Sequence, residues 1–148
     1  MAKVFFNYAD RRLFLRSKKL IRLFIEEIFS TERKHLERVD YVFCSDSYLL
    51  KINQNFLSHN YYTDTITFDL SETANSITGE IYISVDRVKD NAKLLTASFE
   101  EEFLRVVLHG ALHLCGYKDK TKSDKKRMRA REDFYLRRFN MFHKTQFR

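Results

Sequence analysis

Two histidines and an aspartate in the C-terminal half of the sequence have the spacing of metal ligands. His109 and His113 are four residues apart, and Asp119 follows six residues later. Residues four apart on a helix lie one turn above each other, with Cβ atoms about 5–6 Å apart, so both imidazoles can reach one ion. Gly116 lies before Asp119, where a glycine lets the chain reverse at little steric cost. We therefore predict one metal ion per chain, bound by both histidines and Asp119, with one coordination position open for chemistry.

The ligand types favour zinc as this ion. Two neutral imidazoles and one carboxylate match the three protein ligands of catalytic zinc sites, although the same set also suits non-haem iron. The spacing is also that of the extended zinc proteases, but Gly110 stands where those proteases have their general-base glutamate. Peptide hydrolysis is therefore disfavoured, and a protease-like zinc hydrolase stays as an alternative.

The apolar pattern predicts a helix that positions the two histidines. Ser98 to Glu101 has the form of a capping box, which starts a helix, and Gly116 can end it. The apolar residues between them recur at helical spacing, and neither histidine belongs to this stripe. The stripe consists of Leu104, Val107, Leu108, Ala111, Leu112 and Cys115.

The remaining pattern predicts one small α+β domain. The coarse element order is β-α-β-α-β-β-α-α-α, with the last helix starting at Ser123 or Asp124, and residues 1–148 show no linker or repeat. We expect a small mixed sheet packed with helices, and the metal site on a central helix and the loop after it. No apolar run approaches the roughly 18 residues of a membrane span, so we expect no membrane partner and a cytoplasmic location.

The net charge of +7 is concentrated at the C-terminal end. Residues 118–148 contain twelve Lys or Arg and four Asp or Glu, whereas residues 1–117 sum to −1. A basic segment on a near-neutral body is typical of nucleic-acid binding, although it is also compatible with a solvated helix face. The candidate nucleic-acid contacts are Lys125, Lys126, Arg127 and Arg129.

Three stretches resemble the YbeY family of bacterial endoribonucleases and ribosomal RNA maturation factors. The stretch 109–119 is similar to the motif H-G-x-L-H-x-x-G-Y-x-[HD]. Residues 52–68 are similar to the family's L-N-x-x-Y-R-x(5)-T-[DN]-x-L-S-F segment, and residues 79–83 to its G-D-I-x-I strand. The resemblance covers about residues 48–119 and implies a single-domain α+β fold with the metal in a cleft beside the sheet.

The resemblance implies a zinc-dependent single-strand endoribonuclease that acts in ribosomal RNA maturation and ribosome biogenesis, with ribosomal RNA or the small ribosomal subunit as its partner. Glu80 takes the place of a family aspartate and would act as a base or hold a ligand histidine, although it also fits an outward polar position. The sequence departs from the family at Asp119, which replaces the usual third histidine, and at Leu57, which replaces an arginine expected at the phosphate. A non-catalytic RNA-binding assembly protein with a structural metal is therefore a second alternative. The oligomeric state stays open.

Overall fold

The computed structural model describes residues 2–59 and 63–146, and the elements within them follow the predicted order. They are β1 (Val4–Tyr8), α1 (Lys18–Thr31), β2 (His35–Cys44), α2 (Asp46–Leu57), β3 (Thr65–Asp69), β4 (Ser76–Ser84), α3 (Val85–Leu94), α4 (Phe99–Leu114) and α5 (Lys122–Gln146). None of the helices described here is both long and apolar enough to cross a membrane.

The strands form one mixed sheet in the order β1-β2-β4-β3. β1, β2 and β4 are parallel, and β3 is antiparallel to β4, with Thr65 opposite Ile83 and Asp69 opposite Gly79. The expected α+β fold with a small mixed sheet is confirmed. Because β3 is the edge strand on the far side of β4, its residues form one wall of the region in front of α4.

Helices cover the two faces of the sheet unequally. The main core lies between one face and helices α1, α4 and α5, and it includes the fully buried Ile25, Ile81 and Leu108. On the opposite face, α2 packs over β3 and β4 through Leu49 and Ile66. Helix α4, which carries the two predicted ligand histidines, therefore belongs to the larger core layer.

Two glycines let α4 approach β4 closely. A Cβ atom on Gly110 would lie 2.7 Å from Cγ2 of Ile81, and one on Gly79 would lie 2.8 Å from Leu114. Both distances are shorter than a van der Waals contact, so side chains at these positions would push the helix off the strand. The close packing of α4 on β4 therefore requires a glycine at position 110, and a glutamate does not fit there without a change at Ile81.

The helix starts follow side-chain capping. The hydroxyl of Ser98 accepts the Glu101 N–H at 3.1 Å, as the predicted capping box requires. The last helix begins at Lys122, just before the predicted Ser123 or Asp124, because the hydroxyl of Thr121 accepts the Asp124 N–H at 3.0 Å.

Candidate metal centre

The structure brings the three predicted ligands together. Gly116 adopts φ +108°, which turns the chain after α4 and returns Asp119 to the histidines. The Nε2 atoms of His109 and His113 are 3.0 Å apart, and each is 3.2 Å from Oδ2 of Asp119. Ligands at about 2.0–2.1 Å from a tetrahedral zinc ion are separated by about 3.3 Å. The three donor atoms therefore have nearly the separations that one ion requires.

The hydrogen bonds on the far side of each ring fix the tautomers. Nδ1 of His109 lies 2.7 Å from Oε2 of Glu132, and Nδ1 of His113 lies 2.9 Å from the Tyr117 carbonyl. A carboxylate and a carbonyl only accept, so each Nδ1 carries the hydrogen and donates it. Each Nε2 of a neutral ring then presents a lone pair to Asp119. Three acceptors that face one another within about 3 Å are stabilised by a cation, which fits a bound metal.

Glu132 from α5 is a buried partner of His109. Its side chain lies between His109 and Arg105, whose guanidinium donates to Oε1 at 2.9 Å, and the same guanidinium donates to Asp133 at 2.7 Å. Burial lowers the pKa of His109, but the hydrogen bond and negative charge of Glu132, with the charge of Asp119, raise it overall. The two carboxylates thus favour a positive charge, such as that of a metal ion, beside His109. Glu132 is 4% exposed, and together with Arg105 it forms a layer behind the ligand.

The sequence contains a signal for Glu132 that the pattern analysis missed. Met128, Glu132 and Tyr135 follow the i, i+4, i+7 ladder of the buried face of α5, and all three are buried. A carboxylate on an apolar stripe needs a partner within the core, because an unpaired buried charge is costly. An acidic residue in that position therefore indicates a contact with another element.

A second carboxylate anchors the loop that carries Asp119. Glu32, at the end of α1, accepts hydrogen bonds from the Tyr117 hydroxyl at 2.8 Å, from Arg131 at 2.8 Å and from the Tyr135 hydroxyl. Burial alone would raise the pKa of Glu32, but these hydrogen bonds lower it below its usual value. The Tyr117 carbonyl also accepts a hydrogen bond from His113. Tyr117 therefore connects His113 to Glu32 at the end of α1, and Glu32 in turn connects this loop to α5 through Arg131 and Tyr135.

The three candidate metal ligands lie between two arms of a cleft. One arm, of about 580 Å³, and the other, of about 350 Å³, share Asp64, His109 and Asp119 in their walls. The larger arm is lined by basic side chains of α5, and the smaller arm by threonines of β3 and the residues before it. Burial raises the pKa of Asp64, so this cleft carboxyl is a candidate for proton transfer. It is a further residue that the pattern analysis missed, although it directly precedes the β3 pattern.

Three of the four predicted nucleic-acid contacts line the larger arm. Lys125, Lys126 and Arg129 face it together with His109. Arg127 lies on another side of α5, with its guanidinium 5.9 Å from the centre of the Tyr117 ring, and it lines a separate cavity. The basic segment therefore presents cations in two directions.

The structure does not bring Glu80 to the three candidate metal ligands. Ile81 faces Gly110 of α4, and successive residues of a strand point to opposite faces, so Glu80 points away from α4. It lies on the side of Tyr82, which contacts Phe68. The predicted support of a ligand histidine is provided at His109 by Glu132. Leu57, at the end of α2, is 39% exposed.

Comparisons with known proteins match nearly the whole chain. The family model described as Endoribonuclease YbeY matches residues 7–140. The chain is 49% identical over 133 residues to an Endoribonuclease YbeY of Cytophaga hutchinsonii, which covers 90% of this chain and 93% of that protein. It is 43% identical over 141 residues to the protein of the same name in Flavobacterium johnsoniae, with 95% and 98% covered. A solution structure of a Thermotoga maritima protein has a TM-score of 0.66 and 27% identity, covering 99% of this chain and 93% of that one.

Proposed function

Because this chain belongs to the YbeY endoribonuclease family, we propose that it is a zinc-dependent enzyme that cuts single-stranded RNA in the maturation of ribosomal RNA. The observation that carries the metal dependence is the cluster of three acceptors at the junction of the two cleft arms. RNA can extend to both sides of this junction, as an endonuclease requires. We place the activity in the cytoplasm, where ribosomal RNA is processed.

The residues around the junction have separable roles. Zinc, when bound, offsets negative charge at a phosphate and increases the acidity of a water molecule. Three cations, Lys125, Lys126 and Arg129, bind phosphates along the larger arm. They compensate for the family's arginine, whose position is occupied here by Leu57. Asp64 accepts or returns a proton in the cleft, because its raised pKa brings the carboxyl closer to neutral pH.

The geometry also weighs against the protease alternative. The general-base glutamate of such a protease belongs at position 110, where the contact with Ile81 leaves no space for a side chain. The non-catalytic alternative differs in one measurable respect, because a structural metal supports RNA binding without cleavage.

Cleavage assays on a labelled single-stranded ribosomal RNA fragment test the proposal. We expect zinc-loaded protein to cut the fragment, and we expect chelator or His109→Ala to abolish cleavage. A duplex of the same sequence should be cut more slowly. Cleavage that persists undiminished in His109→Ala would show a contaminating nuclease, and a metal-loaded protein that binds RNA without cutting it would support the assembly-protein alternative.

A matched pair of charge variants tests the phosphate-binding arm. RNA affinity falls with salt, and each phosphate contact on a single strand contributes about −0.7 to the slope of log affinity against log salt concentration. The triple variant Lys125→Gln, Lys126→Gln and Arg129→Gln should therefore make this slope less negative by about 2. Arg127→Gln removes a charge from another side of the same helix and should have little effect. Glu80→Gln, on the opposite face of the sheet, should leave cleavage unchanged. Equal effects of the Arg127 and triple variants per charge would contradict the assignment.

A further inference from the structure

The segment between β1 and α1 presents a second basic surface that is separate from the cleft. Residues 11–22 contain six Lys or Arg and no Asp or Glu. Residues 11–15 have no regular secondary structure, and Arg11 fixes the start of the segment through hydrogen bonds to Asp86 at 3.0 and 3.2 Å. A dense positive charge on a fixed, irregular segment suits a polyanionic partner.

Side chains alternate along this segment between the core and the solvent. Leu13 and Leu15 pack against the main core. Arg12, Phe14 and Arg16 are exposed, and Phe14 is 88% exposed. The inward leucines therefore leave Phe14 facing the solvent, and Arg12 and Arg16 flank it in the sequence.

This arrangement differs from an ordinary exposed apolar residue. Single exposed hydrophobic side chains are common and need no explanation. Here Phe14 lies between two arginines in the sequence, and within the part of the chain that the structure describes neither arginine forms a salt bridge. The salt bridge of residues 11–22 is that of Arg11 with Asp86. Aromatic rings that stack on bases, beside cations that contact phosphates, are the usual elements of single-stranded nucleic-acid binding.

The surface lies within reach of an RNA that occupies the cleft. Phe14 and Arg16 line a small cavity with Phe99, the first residue of α4. His109 lies ten residues further along that helix, which is a separation of about 15 Å along the helix axis at 1.5 Å per residue. A strand with about 3.4 Å between phosphates spans that distance with roughly five nucleotides, and a more extended strand needs fewer.

We propose that Arg12, Phe14 and Arg16 form a second contact for single-stranded RNA, in which one base stacks on Phe14 and the guanidiniums bind the flanking phosphates. The proposal rests on the proposed function, because it assigns this surface to the RNA substrate. Its consequence is that RNA long enough to reach both surfaces binds more tightly than RNA that fills the cleft alone.

Stacking and charge leave different signatures in RNA affinity, so two variants separate them. The probe is a labelled single-stranded RNA of about 20 nucleotides, and stopped-flow anisotropy with metal-loaded protein measures binding before cleavage. Phe14→Ala should weaken binding about fivefold or more without a change in the salt slope, and Phe14→Trp should restore it. The pair Arg12→Gln and Arg16→Gln should lower the salt slope by about 1.4.

A matched control removes the same charge elsewhere. Lys89 and Lys93 are exposed on α3, and replacing both with Gln should leave affinity and salt slope unchanged. A control pair that lowers the slope as much as the arginine pair would overturn the proposal, because the charge would then act diffusely. Unchanged RNA affinity in Phe14→Ala and in the arginine pair would also overturn it.

Failure of the second RNA contact can be distinguished from failure of the proposed function. If wild-type protein does not cut RNA but Phe14→Ala still loses affinity, the second contact stands and the catalytic proposal fails. If cleavage occurs and the variants bind and cut long RNA as well as wild type, the second contact fails alone. An RNA of about four nucleotides fills the cleft without reaching Phe14, so we expect wild type and Phe14→Ala to cut it with equal kcat and KM.

Discussion

Replacing Glu132 tests whether a residue outside the ligand set controls metal affinity. Glu132→Gln keeps the shape and one acceptor oxygen for the His109 Nδ1–H, but it removes a negative charge 2.7 Å from the ring. Glu132→Ala removes the hydrogen bond as well. Loss of such a partner typically weakens metal binding 10- to 100-fold.

The structure divides that range between the two variants. Arg105 lies 2.9 Å from the other oxygen of Glu132 and offsets much of its charge, so the hydrogen bond that orients the imidazole contributes the larger share. We expect Glu132→Gln to weaken zinc binding about 10-fold, or about 1.4 kcal/mol, and Glu132→Ala about 100-fold, or about 2.7 kcal/mol. Asp133 remains as a partner for Arg105 in both variants.

Competition with a chromophoric chelator measures the zinc affinity, and the visible spectrum of the cobalt-substituted protein reports the ligand geometry. Asp133→Asn is the matched control, because it removes the other carboxylate on Arg105 without a contact to His109. Its zinc affinity should stay within about twofold of wild type. If Glu132→Ala binds zinc as tightly as this control, Glu132 does not position the ligand and the reasoning is refuted.

Three further changes probe the ligand, the loop anchor and the helix contact. Elemental analysis should find that Asp119→His retains metal and Asp119→Ala loses part of it, and equal metal content in wild type and both variants would remove Asp119 from the ligand set. Because the pKa of Glu32 is lowered in the folded protein, its carboxylate stabilises the fold above the usual pKa of 4.5, and this stabilisation is lost as the pH falls. With metal removed by a chelator, the Tm of Glu32→Gln should therefore decrease less between neutral and acidic pH than the Tm of wild type. An equal decrease of Tm in the two proteins would contradict this. Gly110→Ala should cost about 1–3 kcal/mol in urea unfolding, and this cost should be smaller in an Ile81→Ala background, which removes the clashing Cγ2 atom, unless the two positions act independently.

Local periodicity was sufficient to predict the ligand cluster. His109 and His113 belong to one helix, and Gly116 and Asp119 follow within six residues, so short-range geometry determines most of their arrangement. The element order was predictable for the same reason, because each helix and strand has its own apolar pattern and most helices have a capping residue.

The supporting residues depend on contacts that a local pattern does not contain. Glu132 lies 23 residues after His109, and Glu32 lies 85 residues before Tyr117. The alternation of β4 was clear, but the pattern did not show which of its faces receives α4, and Glu80 lies on the other one. Similarly, the charge of α5 was evident, whereas the separation of Arg127 from its neighbours depends on how the helix packs.

The contact between Gly110 and Ile81 also restricts how this site can change during evolution. A glutamate at position 110 would add the general base of a metalloprotease, yet its Cβ would lie 2.7 Å from Ile81 before the rest of the side chain is added. A smaller residue at position 81 would first have to open a cavity in the core, which is destabilising and brings no activity by itself. The two chemistries are thus separated by at least two substitutions, the first of which is disadvantageous, although the ligand spacing is the same.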